Sequence, residues 1–137
     1  MELAVSDPRR MAEFQLQTNV VGLLRYCGRR DVVWFAVPNG EWRTPAAGAR
    51  LKATGVIAGV ADLVVVIRGK AHMLELKTAK GRLSPEQRAF REAAVAAGAA
   101  YEVARTPEQA KAILNGWGAL RPDIASCHHF EERPAVA

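Results

Sequence analysis

Residues 60–77 read Val-Ala-Asp-Leu-Val-Val-Val-Ile-Arg-Gly-Lys-Ala-His-Met-Leu-Glu-Leu-Lys. Apolar and β-branched residues fill both halves, and Arg68-Gly69-Lys70-Ala71 interrupts them. The stretch therefore predicts two strands, Val60 to Ile67 and His72 to Lys77, folded as a hairpin. Gly69 permits the positive φ that a tight hairpin turn requires. Side chains alternate faces along a strand, so Glu75 and Lys77 point one way and Leu74 and Leu76 the other. With Ile67 paired to His72, Asp62 falls opposite Lys77 and Glu75 opposite Val64. Directly opposed residues share a face, so Asp62, Glu75 and Lys77 converge on one patch. A slip of one residue would send Asp62 to the other face.

Outward from the hairpin the chain alternates helix and strand signals. Upstream, Met11 to Cys27 predicts a helix, with Ser6-Asp7-Pro8 as its start and Gly28 as its stop. Ala12, Phe14, Val20 or Val21, and Leu24 recur near helical spacing on it. Asp31 to Val37 is a short strand closed by the turn residues Pro38-Asn39-Gly40, and Thr44-Pro45 opens a short helix ending near Gly55. Downstream, Ser84-Pro85-Glu86-Gln87 is a capping box opening a helix to about Ala97, stopped by Gly98. Ala100 to Ala104 is a last strand, and Thr106-Pro107-Glu108-Gln109 repeats the capping device for a helix ending near Asn115-Gly116. The order is helix, strand, short helix, two strands, helix, strand, helix. That is an α/β or α+β layout, with a small mixed sheet flanked by helices.

The chain has 137 residues, enough for one domain with a sizeable core and too few for two. A single domain is expected over 1–120, with an irregular tail over 121–137 where periodicity is lost. Half the residues are hydrophobic and 24% are charged, which excludes global disorder. The longest apolar run is too short to span a bilayer, and the first ten residues show no signal-peptide pattern. Cys27 and Cys127 make no disulfide framework, and Cys127-His128-His129 lacks the second cluster that a structural zinc site wants. A soluble protein of a reducing compartment is expected, cytoplasmic and not membrane-bound. The net charge of +5 favours a polyanionic partner.

Two carboxylates and an ammonium on a mostly apolar hairpin need a reason, because unpaired buried charge is costly. A divalent cation supplies one: Mg²⁺ takes one or two carboxylates and completes its shell with water and substrate phosphate. Asp62 and Glu75 would be its ligands, and the backbone carbonyl of Leu76 could add another. Lys77 would orient or deprotonate an attacking water and balance charge in the transition state. The alternative is a three-charge salt-bridge cluster at a sheet edge, where charges discourage aggregation.

Asp62 followed by Glu75-Leu76-Lys77 resembles the signature of the PD-(D/E)xK nucleases, and more narrowly the chain is similar to a stand-alone VRR-NUC domain. The matching pieces are Glu13 and Gln17, Pro38-Asn39-Gly40, Gly55, Gly59 through Leu63, Glu75-Leu76-Lys77, Gly81, Leu83-Ser84, Gln87 and Gly98. Ala61 departs from the pattern, in which a proline is usual before the aspartate. The resemblance implies a restriction endonuclease-like fold and a Mg²⁺- or Mn²⁺-dependent DNA endonuclease. It implies that Glu13 reaches the metal, directly or through water, and that Gln87 supports water or phosphate. It also implies a bacterial or phage source, a homodimer and branched DNA, such as four-way junctions or flaps, as substrate. Lys80 and Arg82, just past the catalytic strand, and Asn39 are the expected nucleic-acid contacts. Two other readings stay open: a nuclease acting on simple ends or on RNA, and a non-catalytic DNA-binding or assembly subunit that keeps the fold.

Overall fold

The computed structural model describes residues 7–38 and 44–122. Asn39 and Gly40, the tail from residue 123 onward and its Cys127-His128-His129 run lie outside the described residues. The central hairpin is present: β2 (Leu63–Ile67) pairs antiparallel with β3 (Lys70–Leu76). Its register differs from the expected one by two residues. Ile67 pairs with Lys70 and Leu63 with Leu74, because Arg68 and Gly69 alone make the turn, at φ 51° and 79°. Two consecutive residues of positive φ are what a two-residue hairpin loop needs to match the strand twist. The expected pairings of Asp62 with Lys77 and of Glu75 with Val64 are therefore not formed; Met73 stands opposite Val64. A shift of two keeps every side chain on its face, so the convergence of Asp62 and Glu75 survives.

The strand β1 (Val33–Ala36) adds antiparallel to β2, and β4 (Ala100–Ala104) adds parallel to β3, giving a mixed sheet in the order β1-β2-β3-β4. The parallel step needs a crossover, which α3 (Pro85–Ala96) supplies. The remaining helices are α1 (Pro8–Cys27), α2 (Pro45–Ala53) and α4 (Pro107–Trp117). All four start alike, with a capping Asp7, Thr44, Ser84 or Thr106 followed by proline. The cap's oxygen satisfies an orphan N–H of the first turn, and proline lacks the N–H that would be unpaired there anyway.

One sheet face, Leu63, Val65, Leu74, Leu76 and Ala104, packs with Leu16, Val20, Leu23 and Leu24 of α1 and Ala110 and Leu114 of α4 into the core. The other face carries Glu75 and Tyr101 and is covered beside β4 by α3, whose Phe90 ring lies 6.4 Å from that of Tyr101. One expectation about packing is corrected here. Phe14 is 66% exposed, because the buried stripe of α1 begins only at Leu16. Phe35 is also exposed, since β1 is an edge strand. Cys27 is fully buried. No helix among the described residues is long and apolar enough to cross a membrane.

Candidate active site

Asp62 lies immediately before β2, and Glu75 is the penultimate residue of β3. The ladder puts them at the same end of the hairpin and on the face that α3 covers. Asp62 is fixed through both its backbone and its side chain. Its carbonyl accepts from the Val37 amide at 2.9 Å, and its Oδ2 accepts from the Leu76 amide at 2.8 Å. Glu75 is only 2% exposed. Its Oε1 accepts from Gln87 Nε2 at 3.1 Å, while Oε2 is buried with no partner.

The electrostatics follow from that placement. Burial drives the Asp62 carboxyl above its ordinary range, against the opposing pull of the Leu76 amide and the Lys77 charge. Glu75 is pushed up to about 8, first by burial and then by the Asp62 charge, with the more distant Glu13 charge adding to it and Lys77 opposing. Burial beside Asp62 thus favours the protonated form of Glu75. Two carboxyl groups so close cannot both ionise cheaply. Among the described residues no salt bridge joins Lys77 to either carboxylate, so the three-charge salt-bridge cluster is not what the residues form. Lys77 acts on both carboxyls at longer range.

Gln87 is the cap that the sequence read, and it also reaches the acidic pair. Its side-chain Oε1 accepts from the Ser84 backbone N–H at 2.8 Å, and the Gln87 backbone N–H donates to Ser84 Oγ at 3.1 Å, which completes the capping box. The Nε2 end of the same amide then holds Glu75. By contrast Gln109, in the equivalent box of α4, bonds the Arg105 amide and Thr106 and touches neither carboxylate. Gly59 explains how α3 comes so close. It has φ +85°, and a Cβ there would run into the backbone of Glu86 and Gln87. Gly81 is likewise constrained, since a Cβ would crowd Thr78 Oγ1 at 3.0 Å and the Lys77 stem at 3.4 Å.

Glu13 is half-buried on α1, and its charge is felt at Glu75. Among the described residues, however, no three His, Cys, Asp or Glu side chains gather tightly enough to hold a metal alone. The centre is thus a two-carboxylate site. Lys80 and Arg82 are exposed just beyond it. Nearby, Arg88 donates to the Leu83 carbonyl at 2.9 Å. One important residue escaped the sequence reading. Arg105 Nη1 donates to the carbonyls of Thr78, at 2.7 Å, and Gly81, at 2.6 Å, and so pins the loop that follows Lys77. No local pattern signals a contact across that separation. Tyr101 is a second: its hydroxyl is buried without a partner on the Glu75 face, and burial with the nearby Glu75 charge raises its pKa.

A mixed four-stranded sheet between helices, with an acidic pair on its central hairpin, is the restriction endonuclease-like fold. A solved structure titled "VRR_NUC domain protein" superposes with a TM-score of 0.59 at 20% identity, over 75% of this chain and 84% of that one. A second, titled "VRR_NUC domain", gives 0.54 at 18% identity, over 77% and 97%. The fold is therefore the one that the sequence resemblance implied. A scan against protein-family models and a search of curated proteins find no match.

Proposed function

We propose that the chain is a metal-dependent DNA endonuclease of the VRR-NUC kind that hydrolyses phosphodiester bonds in branched DNA. The observation that carries the reading is the buried Asp62–Glu75 pair, with its orphaned Glu75 Oε2 and the Lys77 charge beside it. A binding module has no use for two carboxylates turned toward a polyanion, because they repel phosphate unless a cation intervenes. The donors are hard oxygens, which suit Mg²⁺ or Mn²⁺ and not a soft metal. Asp62 and Glu75 would hold the ion, with the Leu76 carbonyl and, through water, Glu13 completing the protein's share.

When bound, the ion supplies Lewis-acid polarisation of the phosphate and an acidified water. The chain's own residues do the rest. Gln87 keeps Glu75 turned into the site, the Leu76 amide fixes Asp62, and Lys77 orients the attacking water and balances charge in the transition state. Lys80 and Arg82 contact flanking phosphates without reading sequence, and Asn39 would add a further contact. A homodimer would present two such sites, as paired incisions across a four-way junction require. The resemblance also suggests a bacterial or phage protein of the cytoplasm.

The test is cleavage of a labelled panel comprising a four-way junction, a flap, a splayed arm, linear duplex and single strand, with and without Mg²⁺ or Mn²⁺. Metal-dependent cutting that Glu75→Ala abolishes is expected, with branched substrates preferred. Tight binding without cutting under either metal would instead identify an assembly subunit, and preference for simple ends would remove the branched-DNA reading.

A further inference from the structure

At the turn end of the hairpin the structure carries a cavity of about 370 Å³, lined by Arg29, Asp31, Arg68, Lys70, His72 and Trp117, among others. Ligand pockets run from roughly 300 to 1,000 Å³, so a small molecule fits. The cavity is separate from the carboxylates. His72 belongs to the Leu74 face while Glu75 is on the other. Lys70 also lies five residues before Glu75, roughly 17 Å along a strand that rises about 3.4 Å per residue.

Three features select the ligand. The first is charge: three cations line the cavity against one carboxylate. Asp31 is already engaged by Arg29 in a fork, Nε to Oδ1 at 3.0 Å and Nη2 to Oδ2 at 3.1 Å. Arg68 reaches Asp31 only at longer range, and Lys70 has no carboxylate within salt-bridge distance among the described residues. Two positive charges at the hairpin tip are left for an anion. The second feature is the aromatic wall, where the Trp117 and His72 rings meet at 5.0 Å and a 57° tilt. Trp117 is partly buried and so is held by the core it packs against. The third is a hydrogen-bonding group of fixed sense. His72 is 7% exposed, and its Nδ1 lies 3.0 Å from the Lys70 carbonyl. A carbonyl only accepts, so Nδ1 carries the proton, and in the neutral ring Nε2 is an acceptor.

We propose that this cavity binds a nucleotide. The base lies against Trp117 with an exocyclic N–H on His72 Nε2, and the phosphate is held by Arg68 and Lys70. Aromatic stacking accepts any base, and the paired cations take the phosphate. An acidic side chain would use the cations but leave the indole and the imidazole acceptor idle. A free mononucleotide and an unpaired nucleotide of a nucleic-acid strand offer the same chemistry. The inference does not rest on the nuclease reading.

The experiment titrates deoxyadenosine monophosphate into the full chain in EDTA, which keeps divalent ions from the carboxylates, and follows tryptophan fluorescence and calorimetric heat. Saturable quenching is expected, lost in Trp117→Phe. Lys70→Ala, an exposed position, is expected to weaken binding about 10-fold, and inorganic phosphate alone to bind at least about 10-fold more weakly than the nucleotide. A single-stranded tetranucleotide that binds tighter than the monophosphate would identify a strand as the source, and equal affinity a free nucleotide. The proposal is overturned if no saturation appears at millimolar ligand, if Lys70→Ala leaves the affinity unchanged, or if phosphate alone binds as well. Binding that appears only after Mg²⁺ is added would place the nucleotide at the carboxylates and overturn it too.

Discussion

Replacing Glu75 with glutamine tests the buried acidic pair through stability alone, with no substrate present. In the folded chain the Glu75 carboxyl titrates at about 8 in place of an ordinary 4.5. Between those values the native state holds a proton that the unfolded state has released, so stability falls as pH rises. At about 1.4 kcal/mol for each pH unit, the loss by pH 8.5 has an upper bound of about 5 kcal/mol. Rearrangement and sharing of the proton with Asp62 bring the expected figure to about 2–3 kcal/mol. Glu75→Gln removes the ionisation while keeping a carbonyl oxygen for the bond from Gln87. In EDTA, urea or thermal unfolding from pH 5 to 9 should show the wild type weakening and the variant nearly flat. At pH 8.5 the variant should melt higher by roughly 6–12 °C. Saturating Mg²⁺ should restore the wild type at alkaline pH and leave the variant little changed. A wild type whose stability is flat or rises with pH, or a variant less stable at pH 8.5, would refute the reasoning and return the residues to a salt-bridge role with Lys77.

Lys77→Met should abolish cleavage while calorimetry still detects Mn²⁺ binding; loss of metal binding would make Lys77 a structural member of the site. Gln87→Ala and Gln109→Ala remove equivalent helix caps, so each should cost about 1 kcal/mol in denaturant unfolding. Only the first frees Glu75, and only it should lower the cleavage rate, by about 10-fold or more. Gly59→Ala should destabilise by roughly 2 kcal/mol or more in urea unfolding, since it meets both a positive φ and the backbone of α3. Arg105→Ala should leave the core intact and raise amide exchange over 78–81, with a parallel fall in turnover.

The element order was legible because its signals are local. A Ser or Thr cap followed by proline announces a helix whatever surrounds it, as at Thr44, Ser84 and Thr106. The hairpin register was not, since it depended on Arg68 entering the left-handed region, which only its neighbour Gly69 advertised. Asp62 and Glu75 were legible despite that slip because strand periodicity is two, and an error of two preserves the face. The buried stripe of α1 and the exposure of Phe35 depend on where neighbouring elements stop, which no window of sequence records. Arg105 is the extreme case: its role is set by carbonyls 24 and 27 residues away. Gln87 lay between, with its cap readable from Ser84 and its grip on Glu75 visible only once Gly59 had let α3 approach.

The minimal turn at Arg68-Gly69 also bears on the order of events in folding. Asp62 and the Leu76 amide are 14 residues apart, a separation that a hairpin closes within microseconds. The carboxylates therefore meet while still hydrated, when their repulsion is weak. Their burial requires α3, which brings Gln87, so we expect it to follow hairpin closure. On that order of events the electrostatic burden of the site arises after the main barrier, so relieving it is expected to slow unfolding while leaving the folding rate little changed.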